Sequence, residues 1–162
     1  MIGVTLEGAL ELSAKLDAFP AQLMRDIQEK AGQLAAALAD KVKYEKLGGE
    51  VLTSRSGRLQ NAIAAEVVVE GTDVTASVFV SGDVKYAAIQ EYGGRTAPHD
   101  IVPTKADALA FLAGGSMRFA KVIHHPGSQM PERSYLRSSL DEMSAEIVAA
   151  LAETPKTSWE ST

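Results

Sequence analysis

Five side chains in this sequence are of types that could do chemistry together: Glu91, His99, Asp100, His124 and His125. Imidazole and carboxylate groups are the usual acid/base pair and the usual ligands for zinc or manganese. Their spacing does not support either use. A helical zinc motif places two histidines four residues apart on one face, whereas His124 and His125 are adjacent and, on a strand, point to opposite faces. At most one of them can join His99. The expectation is a polar turn or interface role for the histidines, with no metal and no cofactor.

Other chemistries find less support. Ser56-Gly57 and Gly114-Gly115-Ser116 lack the Gly-Lys-Ser/Thr ending of a phosphate loop, and there is no G-x-S-x-G elbow. The chain has no cysteine, which removes disulfides, thiolate zinc and a cysteine nucleophile. No catalytic residue is assigned, and the expectation is a non-enzymatic protein.

Glu91 lies in "YAAIQEYGG", where an aromatic-alanine-alanine-aliphatic run reads as a buried helical turn stopped by Gly93 and Gly94. A carboxylate near a helix C-terminus opposes the helix dipole, so helix stability does not explain it. The expected role is a strut fixing the corner, through backbone N–H groups or a cation of the proline-flanked loop; contact with another subunit is the alternative.

The elements around these residues follow from periodicity. The chain has 162 residues, enough for one α+β domain over 1–153 with a flexible tail over 154–162. "GVTLEG" alternates like a short strand, and a first helix begins near Ala9 and closes at Phe19-Pro20. Leu23, Ile27, Ala31, Leu34, Leu38 and Val42 then mark a long amphipathic helix from about Ala21 to Glu45. Lys46 to Arg55 is aperiodic and reads as a mobile polar loop. Ser56 is placed to cap a short helix carrying Leu59, Ala62 and Ile63. Val67–Val69 and Val74–Val80 alternate around Gly71-Thr72-Asp73, the pattern of an antiparallel hairpin with its valines mostly buried.

"PHDIVPT" is extended between its two prolines. "ALAFL" and "RFAKVI" read as strands joined at Gly114-Gly115, and Pro126-Gly127 turns the chain again. The closing helix has an apolar stripe of Leu136, Leu140, Met143, Ile147 and Leu151. The expected fold is thus a small, mainly antiparallel sheet of about four strands packed with a long N-terminal and a C-terminal helix. Net charge is −5 overall, but residues 95–137 carry +3 and all three histidines between flanks of −4 each. That segment suits an acidic protein partner and is too weakly basic for sequence-specific nucleic-acid binding. No run approaches the length of a membrane span, and "MIGVTLEGAL" lacks the basic region of a signal peptide, so the expectation is a cytosolic protein without a membrane partner.

From residue 52 to about 140 the order of these signals resembles a family of siphophage tail-component or tail-completion proteins, similar to minor tail protein Z of phage lambda. The resemblance rests on a corner at Tyr86, Ala87, Glu91 and Gly93, and on a strand start at Ile101, Pro103 and Lys105. It continues in a turn and helix start at His125, Pro126, Gly127, Arg133, Tyr135 and Leu136. The family's proline-aromatic pair is replaced here by "RSYL", with Pro131 placed earlier. The resemblance implies a structural virion protein of the neck, made in the host cytoplasm, that rings the head-proximal end of the tail, a hexamer when assembled. Its implied neighbours are copies of itself, a tail-terminator or tail-tube protein and a head connector or stopper. A head-side connector or tail-terminator of similar architecture, or a histidine-carboxylate phage enzyme, is the alternative.

Overall fold

The structure is a computed structural model that describes residues 8–53 and 55–161. The strand expected in "GVTLEG" falls almost wholly outside them. The fold class is α+β, with long helices near both ends and, among the described residues, eight strands in four antiparallel pairs. The chain divides into two compact units, one formed by residues 1–85 and 134–162, the other by 86–133.

In the first unit, helix α1 (Ala9–Asp40) is continuous, with Pro20 inside it. This corrects the expected break at Phe19-Pro20. An interior proline removes one helical hydrogen bond and costs roughly 3 kcal/mol, and tertiary contacts beside it offset that cost. The Phe19 ring meets Trp159 edge-on at 5.3 Å, and the Lys15 ammonium sits 4.7 Å from the centre of the same indole.

Past Asp40 the helix widens into a π-helical turn, Lys41–Lys46, in which Leu47 N–H donates to Val42 O at 2.9 Å. The segment expected to be a polar loop is tied back here. Val51 and Leu52 N–H both donate to Lys46 O, at 3.0 and 2.9 Å, and Lys46 and Leu47 are buried. The buried Lys46 ammonium is held by Glu50 and Glu142, each at 2.6 Å, and Lys41 also reaches Glu142 at 3.0 Å. Hydrogen bonds from Lys46 first, then Lys41, hold the Glu142 carboxyl below the usual carboxylate range. The same contact with Glu142, then that with Glu50, raises Lys46.

Helix α2 (Arg58–Ala62) leads into the hairpin that alternation marked. Gly57 takes its cap position, Ser56 Oγ accepts from Arg58 N–H at 3.4 Å, and Ile63, expected in the helix, already belongs to the strand. Strands β1 (Ile63–Glu70) and β2 (Asp73–Val80) pair with Val67 opposite Ala76 and Val69 opposite Val74. Helix α1 packs on both strands, and Gly32 brings its backbone to Val67. Val67, Val74, Val78 and Val80 are half-buried, but Val69, next to the turn, is 41 % exposed, so its expected burial is corrected.

Helix α4 (Leu136–Ser161) packs against α1. Its buried residues are Ser139, Met143, Thr154 and Ser158, while Leu140, expected in the stripe, is 49 % exposed. Helix α1 buries Ala31, Ala35, Leu38 and Ala39, so small residues make up much of the buried surface of both helices. Ser139 Oγ and Thr154 Oγ1 donate back to Tyr135 O and Ala150 O, at 2.7 and 3.0 Å, so their hydroxyls are satisfied within the helix. The helix passes through Pro155 to Ser161. The expected loose tail after residue 153 is therefore helical, and Trp159 closes onto Phe19.

The second unit starts with α3 (Ala87–Tyr92) and holds six strands: β3 (Gly94–Arg95), β4 (His99–Ile101), β5 (Leu109–Ala113), β6 (Ser116–Ala120), β7 (Ile123–His125) and β8 (Gln129–Met130). Their pairings are nested. Strand β5 pairs with β6, β4 with β7 around them, and β3 with β8 outermost. The unit is one long antiparallel hairpin, interrupted twice, with Gly114-Gly115 at its tip.

Candidate functional site

The base of this interrupted hairpin collects residues far apart in sequence. Gly93 ends α3 with φ 67° and ψ −168°, a conformation that only glycine adopts readily. A Cβ there would lie 2.7 Å from Glu132 N and 3.1 Å from Met130 O. Beside it, Arg133 N–H donates to Gln90 O at 2.9 Å. One step further in, Thr96 N–H donates to Ser128 O at 3.0 Å, and Ser128 N–H returns to Thr96 Oγ1 at 2.7 Å. Gly127, at φ 84°, lies so close to this strand that a Cβ would overlap the Thr96 carbonyl oxygen. These contacts form a clasp built almost wholly from backbone.

Glu91 is only 3 % exposed. Its carboxylate therefore lies in the interior of the chain. The corner at Gly93 and the turn at His125-Pro126-Gly127, with Arg133, thus come together. Tyr86 is exposed just before α3, Pro103 is half-buried after β4, and Tyr135 and Leu136 belong to the first unit, with Tyr135 fully buried at the start of α4.

The histidines lie on the middle ladder. His99 faces His125 and Asp100 faces His124, as strand alternation requires. The His99 and His125 rings stack at 5.0 Å, and on the opposite face His124 Nδ1 meets Asp100 Oδ1 at 2.5 Å. His99 Nδ1 lies 3.2 Å from Ala97 O and so carries its proton there. His125 Nδ1 instead accepts the Gly127 N–H at 3.1 Å. One histidine thus orders the strand before the ladder and the other orders the Pro126-Gly127 turn. An open groove of about 480 Å³ lined by Pro98, His99, Asp100, His124, His125 and Pro126 runs beside them. Its lining offers imidazole and carboxylate groups and no hydroxyl or thiol, and among the described residues no three such groups converge on a metal position.

The tip is the most exposed apolar surface of the second unit. Leu112 pairs with Met117 and Ala110 with Phe119, and all four lie on one face. Leu112, Met117 and Phe119 are 72 %, 60 % and 71 % exposed. Sequence reading found these strands but not this exposure, because "LAFLA" is apolar at both odd and even positions and gives no inner face. That double-sided apolarity, in a strand pair with only two members, was the available signal.

No family model, curated protein or solved structure matches the chain.

Proposed function

We propose that this chain is a structural virion protein of a tailed bacteriophage or prophage, a neck component that completes the head-proximal end of the tail and acts in head–tail joining. It works as a ring of identical copies between a tail-terminator or tail-tube protein and a head connector or stopper, and it catalyses no reaction. The observation that carries this reading is the interrupted hairpin. Its clasp is made from the positions on which the resemblance rests, Gly93, Gly127 and Arg133 among them, and its tip holds Leu112, Met117 and Phe119 out to solvent. A backbone-fixed base and an apolar tip are what an assembly protein needs. The base sets direction, and the tip gains free energy only when a neighbour covers it. The histidine groove fits the same use, since its imidazoles are spent on ordering the strands that lead to the tip.

The test is deletion of the gene from its phage, complementation in trans, and electron microscopy of the products. Full heads beside free, finished-length tails are expected, with infectivity restored by the wild-type gene. Empty heads would move the protein to the head-side connector. Normal infectious particles would overturn a neck role altogether.

A further inference from the structure

The free edge of β1 is a row of backbone groups that no strand pairs. The β1–β2 sheet has two strands, and among the described residues no third one joins it. Ser81 N–H donates to Ala62 O at 2.7 Å, so the bonded pairs of this register are Ala64–Phe79, Glu66–Ser77 and Val68–Thr75. Between them on β1, Ala65, Val67 and Val69 turn their N–H and C=O groups away from β2. Proteins usually blunt such an edge with proline, lysine or a bulge. Strand β1 has none of these, because IAAEVVVE contains neither residue and its pairing with β2 runs without interruption. It carries acid instead. Val67 meets Gly32 of α1, so the even-numbered residues face away from α1 and set Glu66, Val68 and Glu70 in a row, all exposed. Residues 63–80 contain no Lys or Arg.

We infer that β1 is a docking edge for an extended segment of another protein, one with basic, apolar and basic side chains at positions i, i+2 and i+4. The segment adds as a third strand. Its main chain bonds to Ala65, Val67 and Val69, and its outward side chains stand opposite Glu66, Val68 and Glu70. Its intervening residues are apolar, because they fall beside Val67 and Val69 on the α1 side of the sheet. The two glutamates decide the occupant. A second β1 laid on this edge would bring glutamates towards glutamates, whereas lysine or arginine gains an opposite charge at each. Among the described strands of this chain none holds two basic residues, since Arg95 in β3 and Arg118 in β6 are each single. The matching strand therefore belongs to a different chain. This inference goes beyond the neck reading and does not rest on it.

The probe is a fluorescein-labelled peptide, Thr-Lys-Val-Val-Val-Lys-Thr, titrated into the purified full chain at low salt and followed by anisotropy. Three control peptides accompany it: one with glutamate for lysine, one scrambled so that its lysines are adjacent, and one N-methylated at its valines. The probe should bind saturably and more weakly as salt rises. Each control should bind at least about tenfold more weakly, since it lacks the charge, the spacing or the main-chain donors. In the protein, Ala65→Pro removes one outward N–H and leaves the bonds to β2 in place, so it should weaken binding by a similar factor. Ala76→Pro does the same on the opposite edge, at β2, and should leave binding unchanged. Bound probe should slow amide exchange at Ala65, Val67 and Val69 and not at Val74, Ala76 or Val78. If circular dichroism shows that Ala65→Pro does not fold, the N-methylated peptide gives the same reading on wild type. Absence of saturable binding, equal binding of the scrambled or N-methylated peptide, equal loss in a folded Ala76→Pro, or unchanged exchange at the three β1 amides overturns the inference. So does a dimer of the chain alone that Ala65→Pro dissolves, which would put a second copy on the edge. These readings use no phage, so their failure and that of the deletion phenotype are separate.

Discussion

Replacing Gly127 by alanine separates two costs that the structure combines at one residue. The first is conformational. At φ 84° an L-residue sits in the left-handed region, at a cost of roughly 1–2 kcal/mol. The second is steric. The new Cβ would overlap the Thr96 carbonyl oxygen, which is backbone and has no rotamer to escape into. The two strands must part, and parting them removes the bonds from Thr96 N–H to Ser128 O and from Ser128 N–H to Thr96 Oγ1. At about 1 kcal/mol for each bond, the total reaches about 3–4 kcal/mol. Gly114→Ala provides the reference, since Gly114 has φ 62° and an added Cβ would meet nothing within 4 Å. It should cost about 1 kcal/mol, the conformational part alone. Urea unfolding gives both differences, and amide exchange at Thr96 and Ser128 locates the damage. If Gly127→Ala costs no more than Gly114→Ala, or if exchange at Thr96 is unchanged, the clasp does not hold the base as described.

Three other perturbations read separate parts of the fold. Gly32→Ala should stabilise the protein by about 0.5–1 kcal/mol in thermal unfolding, because Gly32 lies inside α1 and its added Cβ would meet Val67 Cγ2 at an ordinary 3.8 Å. Trp159→Ala should cost about 2–3 kcal/mol and raise amide exchange on both sides of Pro20, since the indole covers Phe19 and Lys15 there. The Glu142 carboxyl is depressed in the folded state, so its contribution is fully present above the ordinary glutamate value of 4.5 and is lost as pH falls through the depressed value. Glu142→Gln should therefore flatten the acid limb of a plot of urea midpoint against pH, and an unaltered limb would refute the Lys46–Glu142 link.

Sequence alone located the longer strand pairs, β1–β2 through alternation and β5–β6 through short apolar runs on either side of two glycines, and not the two- and three-residue strands outside them. The β1–β2 hairpin stands where alternation placed it, and the β5–β6 turn where Gly114-Gly115 placed it. It failed where a tertiary contact outweighed a local rule. Pro20 signals a helix end, yet the Phe19–Trp159 contact holds α1 through it. The α4 leucines signal a core stripe, yet the alanine face of α1 goes with buried serine and threonine. Lys46 signals solvent, yet its side chain is buried and an exposed carboxylate distant in sequence, Glu142, caps its ammonium. For the site, glycines and prolines marked the corner and the turn, because backbone geometry is local. Their meeting in one clasp, and the placement of Tyr135 and Leu136 in the other unit, depend on the nested pairing, which no single motif encodes.

Nesting also sets an order of events in time. Gly94 and Met130 are 36 residues apart, and closing that loop directly from the open chain carries a large entropic barrier. The β5–β6 turn closes almost no loop, and once it has formed, each outer ladder has only a few residues left to bring together. Pairing therefore runs from tip to base like a zip, and the clasp closes last. Contacts made last are absent from the rate-limiting state, so damage to the clasp should speed unfolding and leave the folding rate nearly unchanged. The apolar tip is thus formed early, while the base that aims it is still open. During synthesis a sticky, undirected arm exists before a directed one, and the interval between them is when wrong partners can capture it.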